Sequence, residues 1–330
     1  MMGVWVILKN NFRRAYSNKN YVTNFLIMSC LSLILAVYFT SHLKTDLNIA
    51  WVTSSNDIPK ISSYSNIEIL KETPSKSELV MNKYDAVVIE KGNKKYEVNT
   101  IKGKDFKAKI ENFIKNPSEF NPNNENENKR GVGTNILGYM LMFILLQGVF
   151  FMSFFTEDKE NKAFKRIITS PIYMRNYIAG HCIFNFIIVY VPILTMLFII
   201  KQIFKIDIGF SYSQYGYLLG IIVLFSVAFS LFISTVVEKM DDVMSLSSSI
   251  IVLTSIFSGS FYSINNTNIF LKKLINLLPQ KNYLDLAQGI ESGKPIMNYV
   301  PQIGYLLTLV ILLYGCGIII CKRKFNEGRY

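Results

Sequence analysis

Six stretches of the chain carry apolar residues uninterrupted by Asp, Glu, Lys or Arg. They are Tyr21–Ser41, Thr134–Phe155, Tyr177–Ile200, Gln214–Val237, Val243–Tyr262 and Pro301–Cys321. The apolar residues form blocks and follow neither the two-residue period of a half-buried strand nor the 3.6-residue period of a surface helix. A bilayer crossing takes about 20 such residues at roughly 1.5 Å rise each. The pattern therefore predicts six transmembrane helices, at 21–41, 134–155, 177–200, 214–237, 243–262 and 301–321. The first is not read as a signal peptide. Its apolar stretch is long, it starts well inside the chain, and it lacks a cleavage site of small residues.

Composition supports this reading. Half of the 330 residues are hydrophobic, and the mean hydropathy is +0.27. Eighteen Gly and four Cys exclude collagen-like and disulfide-dense chains. The formal charge of +12 is unevenly placed. Lys9, Arg13, Arg14, Lys19, Lys159, Lys162, Lys165, Arg166, Arg175, Lys239, Lys322, Arg323, Lys324 and Arg329 fall on one side of the predicted spans. The short segments opposite carry only Lys201, Lys205, Lys272, Lys273, Lys281 and Lys294. The cation-rich side is predicted to be cytoplasmic. Residues 1–20 and the tail 322–330 then lie inside, and residues 42–131 and 263–300 lie outside. The charge is thereby used for topology and for anionic lipid head groups. No basic recognition motif points to nucleic acid.

Residues 42–131 differ from the rest, with dense charges of both signs and short apolar runs. Ile49–Ser54, Ile67–Leu70, Tyr84–Glu90 and Lys95–Ile101 read as strands. Ser75–Asn82 reads as a helix, with Ser75 and Glu78 at capping-box spacing. Lys104–Lys115 reads as a second helix, with Phe106, Ile110, Phe113 and Ile114 on one face. Asn116–Arg130 reads as a tether. The fold class is therefore a polytopic α-helical membrane protein of six transmembrane helices, with a small extracellular α/β domain between helices 1 and 2. Its one histidine, His42, and its lack of Cys argue against a zinc site. Cys30, Cys182, Cys316 and Cys321 sit in or beside spans and read as apolar packing. His181, at a span end, reads as an interfacial hydrogen-bonding residue.

Two cytoplasmic segments are informative. In residues 1–20, Val4, Trp5, Leu8, Phe12 and Tyr16 can share a helical face, which suits a helix lying in the membrane interface; a plain cationic anchor is the other reading. In the loop 156–176, a charged, helix-favouring run carries Ala163, Phe164, Ile167 and Ile168 as an apolar edge, and Ser170-Pro171 stops it. Such a run is either a short amphipathic helix able to transmit a push from a partner, or a solvated loop.

This loop resembles the coupling-helix region of ABC-2 type transporter permeases, whose pattern is E-x-E-x-G-T-x-x-R-x-x-x-S-P. Asp158 stands at the first Glu, and Glu160, Arg166, Ser170 and Pro171 fall on their positions. Lys162-Ala163 replaces the Gly-Thr, which is expected to leave the helix more regular, since Gly costs about 1 kcal/mol inside a helix. Ser258-Gly259-Ser260-Phe261 resembles the family's S-G-x-F, and Leu278-Pro279 with Tyr283 and Ala287 resembles L-P-x-x-x-Y-x-x-A. The likeness covers nearly the whole chain. It implies a permease subunit, paired with a second permease half and driven by a cytoplasmic ATP-binding subunit. It further implies that Glu160, Phe164, Arg166, Ile167, Ser170 and Pro171 couple the chain to that ATPase.

The chain has no G-x-x-x-x-G-K-[ST] loop; Gly289–Pro295 has the wrong spacing, with Pro295 in place of Ser/Thr. It has no H-E-x-x-H and no G-x-S-x-G. No catalytic, metal or cofactor residue is expected, and ATP is expected to act through the partner. Charge-free spans rich in Phe, Ile, Leu and Met favour export of an apolar or amphipathic cargo, such as a drug, a lipid or a peptide antibiotic. The Lys-, Asn- and Ile-rich usage suits a bacterial cell membrane. A second reading remains open: a non-transporting scaffold or sensor whose external α/β domain binds a ligand or envelope partner.

Overall fold

The computed structural model describes residues 2–17, 19–41, 47–53, 65–70, 72–74, 84, 86–90, 96–100, 104–115, 130–170, 172–203, 205, 208–261 and 269–329. The chain divides into two compact units, Met1–Thr40 with Arg130–Tyr330, and Ser41–Lys129.

In the smaller unit, strands β1 (Leu47–Val52), β2 (Ser65–Leu70), β3 (Ala86–Glu90) and β4 (Tyr96–Asn99) form one sheet in the order β2-β1-β3-β4. β1 runs parallel to β2 and β3, while β4 is antiparallel to β3. The unbroken apolar runs of β1 and β3 suit strands covered on both faces. Ile49, Trp51, Ala86 and Val88 pack with Val98 and with Ile110 of a helix spanning Lys104–Lys115. Ala50, Val52 and Val87 pack with Tyr84 on the opposite face. The strands expected from sequence lie within two residues of those observed. The expected helix Ser75–Asn82, His42 and residues 116–129 of the tether lie outside the described residues.

The larger unit is helical. Counting the helix at Lys104–Lys115 as α3, its helices are α1 (Met2–Ser17), α2 (Lys19–Ser41), α4 (Val132–Glu160), α5 (Ala163–Ile168), α6 (Met174–Ile203), α7 (Tyr212–Val236), α8 (Met240–Phe257), α9 (Ile269–Asn276), α10 (Pro279–Glu291) and α11 (Val300–Asn326). Among the described residues, five helices are long and apolar enough to cross a membrane: α4, α6, α7, α8, and α11 with the 3-10 turn before it. The first predicted span falls on α2, whose apolar stretch among described side chains is Ile27–Tyr38. Local chemistry sets several helix ends. Ser211 and Gln214 form a capping box at the start of α7. Pro279 opens α10, at the position where a missing N–H costs nothing.

Helix α4 occupies the middle. In its most apolar window 78% of residues are buried, against 22% in α8 and 11% in α11. It packs on α6, α7, α8 and α10. Close approach is possible because Gly138 faces the backbone of Ser260 and Gly148 faces Ser226. Buried polar groups stitch the neighbours to it. Gln147 Nε2 donates to Ser29 Oγ of α2 at 3.2 Å, Asn185 Nδ2 of α6 donates to Gly148 O at 2.7 Å, and Ser226 Oγ of α7 donates to Ile144 O at 3.1 Å. At its N-terminus, Glu291 accepts hydrogen bonds from Gly133 N (2.7 Å), Thr134 N (2.9 Å) and Thr134 Oγ1 (2.6 Å). These satisfy amides that a helix cannot pair internally.

A methyl group added at Gly148 would lie 2.0 Å from Ser226 Oγ. Gly148→Ala is expected to destabilise the bundle by about 1–3 kcal/mol, the usual cost of overpacking. Adding Ser226→Gly should restore most of the loss. Thermal unfolding in detergent checks this, and an unchanged midpoint for Gly148→Ala alone would contradict the packing.

Candidate coupling site

The last turn of α4 is charged, Glu157-Asp158-Lys159-Glu160, and the chain then turns sharply into α5. The turn is made by Asn161 and Lys162, and Lys162 adopts φ +55°, in the left-handed region. The sequence suggested that Lys at this place keeps the helix regular. Instead the helix breaks here, and the position where the family pattern has Gly is the one that needs a positive φ. A non-Gly residue there carries a strain of about 1–2 kcal/mol.

Six residues cannot hold a helix in isolation, so α5 depends on its anchor. Phe164 is fully buried, with its ring edge-on to Phe155 (5.9 Å), Tyr177 (5.3 Å) and Phe325 (5.8 Å). Ile167 and Ile168 are half-buried against the same core. Lys165, Arg166, Thr169 and Ser170 are exposed, as is Lys162. Ser170 Oγ donates to Ile167 O at 2.5 Å and closes the helix end. Pro171 lies outside the described residues. Glu160 is exposed, and its Oε1 accepts from the Met240 amide at 2.6 Å. The residues singled out from sequence therefore divide by position. Arg166 and Ser170 face outward, Ile167 is half-covered, Glu160 is engaged with the start of α8, and Phe164 points wholly inward. Phe164 has no surface to offer a partner, so its contribution is to hold α5 in place.

Beneath the loop lies a polar cluster with little trace in the sequence. Arg14 of α1 donates to Glu157 Oε2 at 2.8 Å and to Asp158 Oδ1 at 2.9 Å, and its guanidinium sits 4.6 Å from the centre of the Phe154 ring. Tyr177 Oη donates to Asp158 Oδ2 at 2.5 Å. His181 Nε2 lies 3.6 Å from the same oxygen, and its Nδ1 is 3.0 Å from Asn11 Nδ2. Asp158, at the first acidic position of the pattern, thus binds α1, α4 and α6 together. His181 has the hydrogen-bonding role expected of it. On α1 the protein-facing residues are Ile7, Leu8, Asn11 and Ala15, while Trp5 (67%) and Tyr16 (77%) are exposed. The sequence grouped Val4, Trp5, Leu8, Phe12 and Tyr16 on one face; in the structure that face divides, with Leu8 buried and Phe12 packed on Phe184 at 5.0 Å, while Trp5 and Tyr16 are exposed.

Two changes test this geometry. Lys162→Gly is expected to leave stability unchanged or raised, whereas Lys162→Val should lower it by at least about 1 kcal/mol, because a β-branched residue is disfavoured at positive φ. Phe164→Ala should cost about 3–5 kcal/mol and expose the 161–170 loop to protease, while Arg166→Ala should do neither. Thermal unfolding and limited proteolysis of the variants report both.

A family model described as ABC-2 family transporter protein matches residues 21–320. No curated protein and no solved structure matches the chain. The match covers both units and includes the turn at Lys162, the anchor Phe164 and the acidic end of α4. The chain belongs to the ABC-2 family of transporter proteins and is a multi-pass membrane component of transport.

Proposed function

We propose that this chain is the permease half of an ATP-driven exporter and that a separate cytoplasmic ATP-binding subunit docks on α5. One observation carries the reading. A helix too short to stand alone is pinned by Phe164 to the central bundle and turns Lys162, Lys165, Arg166 and Ser170 outward. That arrangement suits a contact surface that must pass force inward. Family membership and the lack of a phosphate-binding loop in the sequence support a separate energy source. Nucleotide-driven closure of the partner would press on α5, tilt α4 and α6, and change access to a cavity between two permease halves. In this reading Arg166 and Ser170 touch the ATPase, Glu160 and Ile167 border the contact, and Phe164 is the anchor.

The same reading takes α2 as a sixth span, which sets residues 1–20 and 322–330 in the cytoplasm and the α/β unit outside. The exposed Trp5 and Tyr16 support an interfacial position for α1 among lipid head groups. The outward apolar faces of α8 and α11 support contact with lipid, a second permease half and an apolar or amphipathic cargo. A bacterial cell membrane is the proposed setting.

The triple charge reversal Lys162→Glu, Lys165→Glu and Arg166→Glu is expected to abolish co-purification of a nucleotide-binding protein in mild detergent without lowering the unfolding temperature. Retention of a stoichiometric ATPase by this variant would overturn the docking surface. A wild-type chain that brings down no ATPase, under conditions in which a known ABC complex survives, would favour a scaffold or sensor built on the α/β unit.

A further inference from the structure

The turn joining α7 to α8 spans residues 237–239, and the last two residues of α4 hold it from both sides. Lys159 is buried, 5% exposed. Its Nζ donates to Ser234 O and, at 3.1 Å, to Val237 O. These lie at the C-terminal end of α7, where carbonyls lack intrahelical partners and the helix dipole favours a cation. Lys324 of α11 adds a second cation, donating to Val236 O at 2.6 Å and lying 3.4 Å from Glu238 Oε1. The next residue, Glu160, accepts from the Met240 amide at 2.6 Å. That amide opens α8, whose N-cap residue Lys239 supplies no side-chain cap. A cation therefore meets the negative end of one helix, and the adjacent anion meets the positive end of the next. Burying an ammonium is costly unless it is fully paired, so the Lys159 contacts are strong determinants of where α7 ends.

We propose that Lys159 and Glu160 are positioning residues that lock the α7–α8 turn to the end of α4, so that any displacement of α5 carries α7 and α8 with it. This inference rests on the proposed docking of an ATPase at α5, and it extends that docking from α4 and α6 to the whole cytoplasmic end of the bundle. Among the long helices that pack on α4, α8 is the least covered by the rest of the chain, so the lock at its first turn is a large share of what holds it.

The test uses the full chain with its co-purified ATPase in lipid nanodiscs. Spin labels are placed at Thr169→Cys and Lys239→Cys, both exposed, with the exposed Cys30 and Cys316 changed to Ser. In the parent chain the label-to-label distance is expected to be the same without nucleotide and with trapped ATP. With Lys159→Met, which leaves the proposed contact residues in place, it should change between the two states while ATP hydrolysis continues. Lys159→Arg, which keeps a cation, should restore the parent behaviour and guards against a Lys159→Met chain that fails to fold. A nucleotide-dependent distance in the parent, or a constant one in Lys159→Met, would overturn the lock. If no ATPase co-purifies, the docking reading fails on its own. The lock is then read from amide exchange in the chain alone, where Glu160→Leu should speed exchange at the start of α8 about fivefold. Unchanged exchange there would overturn the lock independently of docking.

Discussion

Backbone groups at helix ends have no partner within the helix, and burying one unpaired costs about 1–3 kcal/mol. How this chain meets that demand determines much of its architecture. The central helix α4 has its first amides held by the Glu291 carboxylate from α10. Its own last residues, Lys159 and Glu160, cap the end of α7 and the start of α8. Asp158 in the same turn holds Arg14 of α1 and Tyr177 of α6. One helix is thus fastened at both ends by charged groups, which also cap the end of α7 and the start of α8 and hold α1 and α6 through their side chains.

Under the proposed docking of an ATPase on α5, the consequence for function is mechanical. α5 contributes one large buried ring, Phe164, to the core next to this fastened turn, and it otherwise presents cations to the outside. Force applied to so short a helix has few places to go. It reaches Phe155 and Tyr177 through ring contacts, and then the polar cluster and the helices that cluster joins. The left-handed turn at Lys162 sets the direction of α5, and the strain it carries is held by the Phe164 anchor that follows two residues later.

Much of the fold could be read from the sequence because the dominant signals are local. Long charge-free blocks gave the five helices that are long and apolar enough to cross a membrane, and β-branched runs gave β1 and β3 to within two residues. What could not be read depends on pairing across the chain. Arg14 and Asp158 are 144 residues apart, Asn11 and His181 are 170 apart, and no periodicity links them. Lys159 read as one of many topology-setting cations, because nothing local says that a lysine caps another helix. Phe164 was recognisable as part of an apolar edge, but the sequence could not say that its ring is turned fully away from a partner. The turn at Lys162 had a usable signal, since a Gly in the family pattern implies a positive φ even where the side chain has changed. The segment 263–300 was read only as an external connection, yet it holds α9 and α10. Of these, α10 is buried against α4, and its start was signalled by Pro279.

The central claim is that the outward face of α5 touches an ATPase while its inward face does not. A photoreactive amino acid placed in turn at positions 166, 164 and 311, and irradiated in membranes of the native cell, tests this directly. The account predicts an adduct with a P-loop protein from position 166, none from the buried position 164, and none from the exposed, mid-span position 311. Absence of a P-loop adduct at 166, or its appearance at 311, would contradict it.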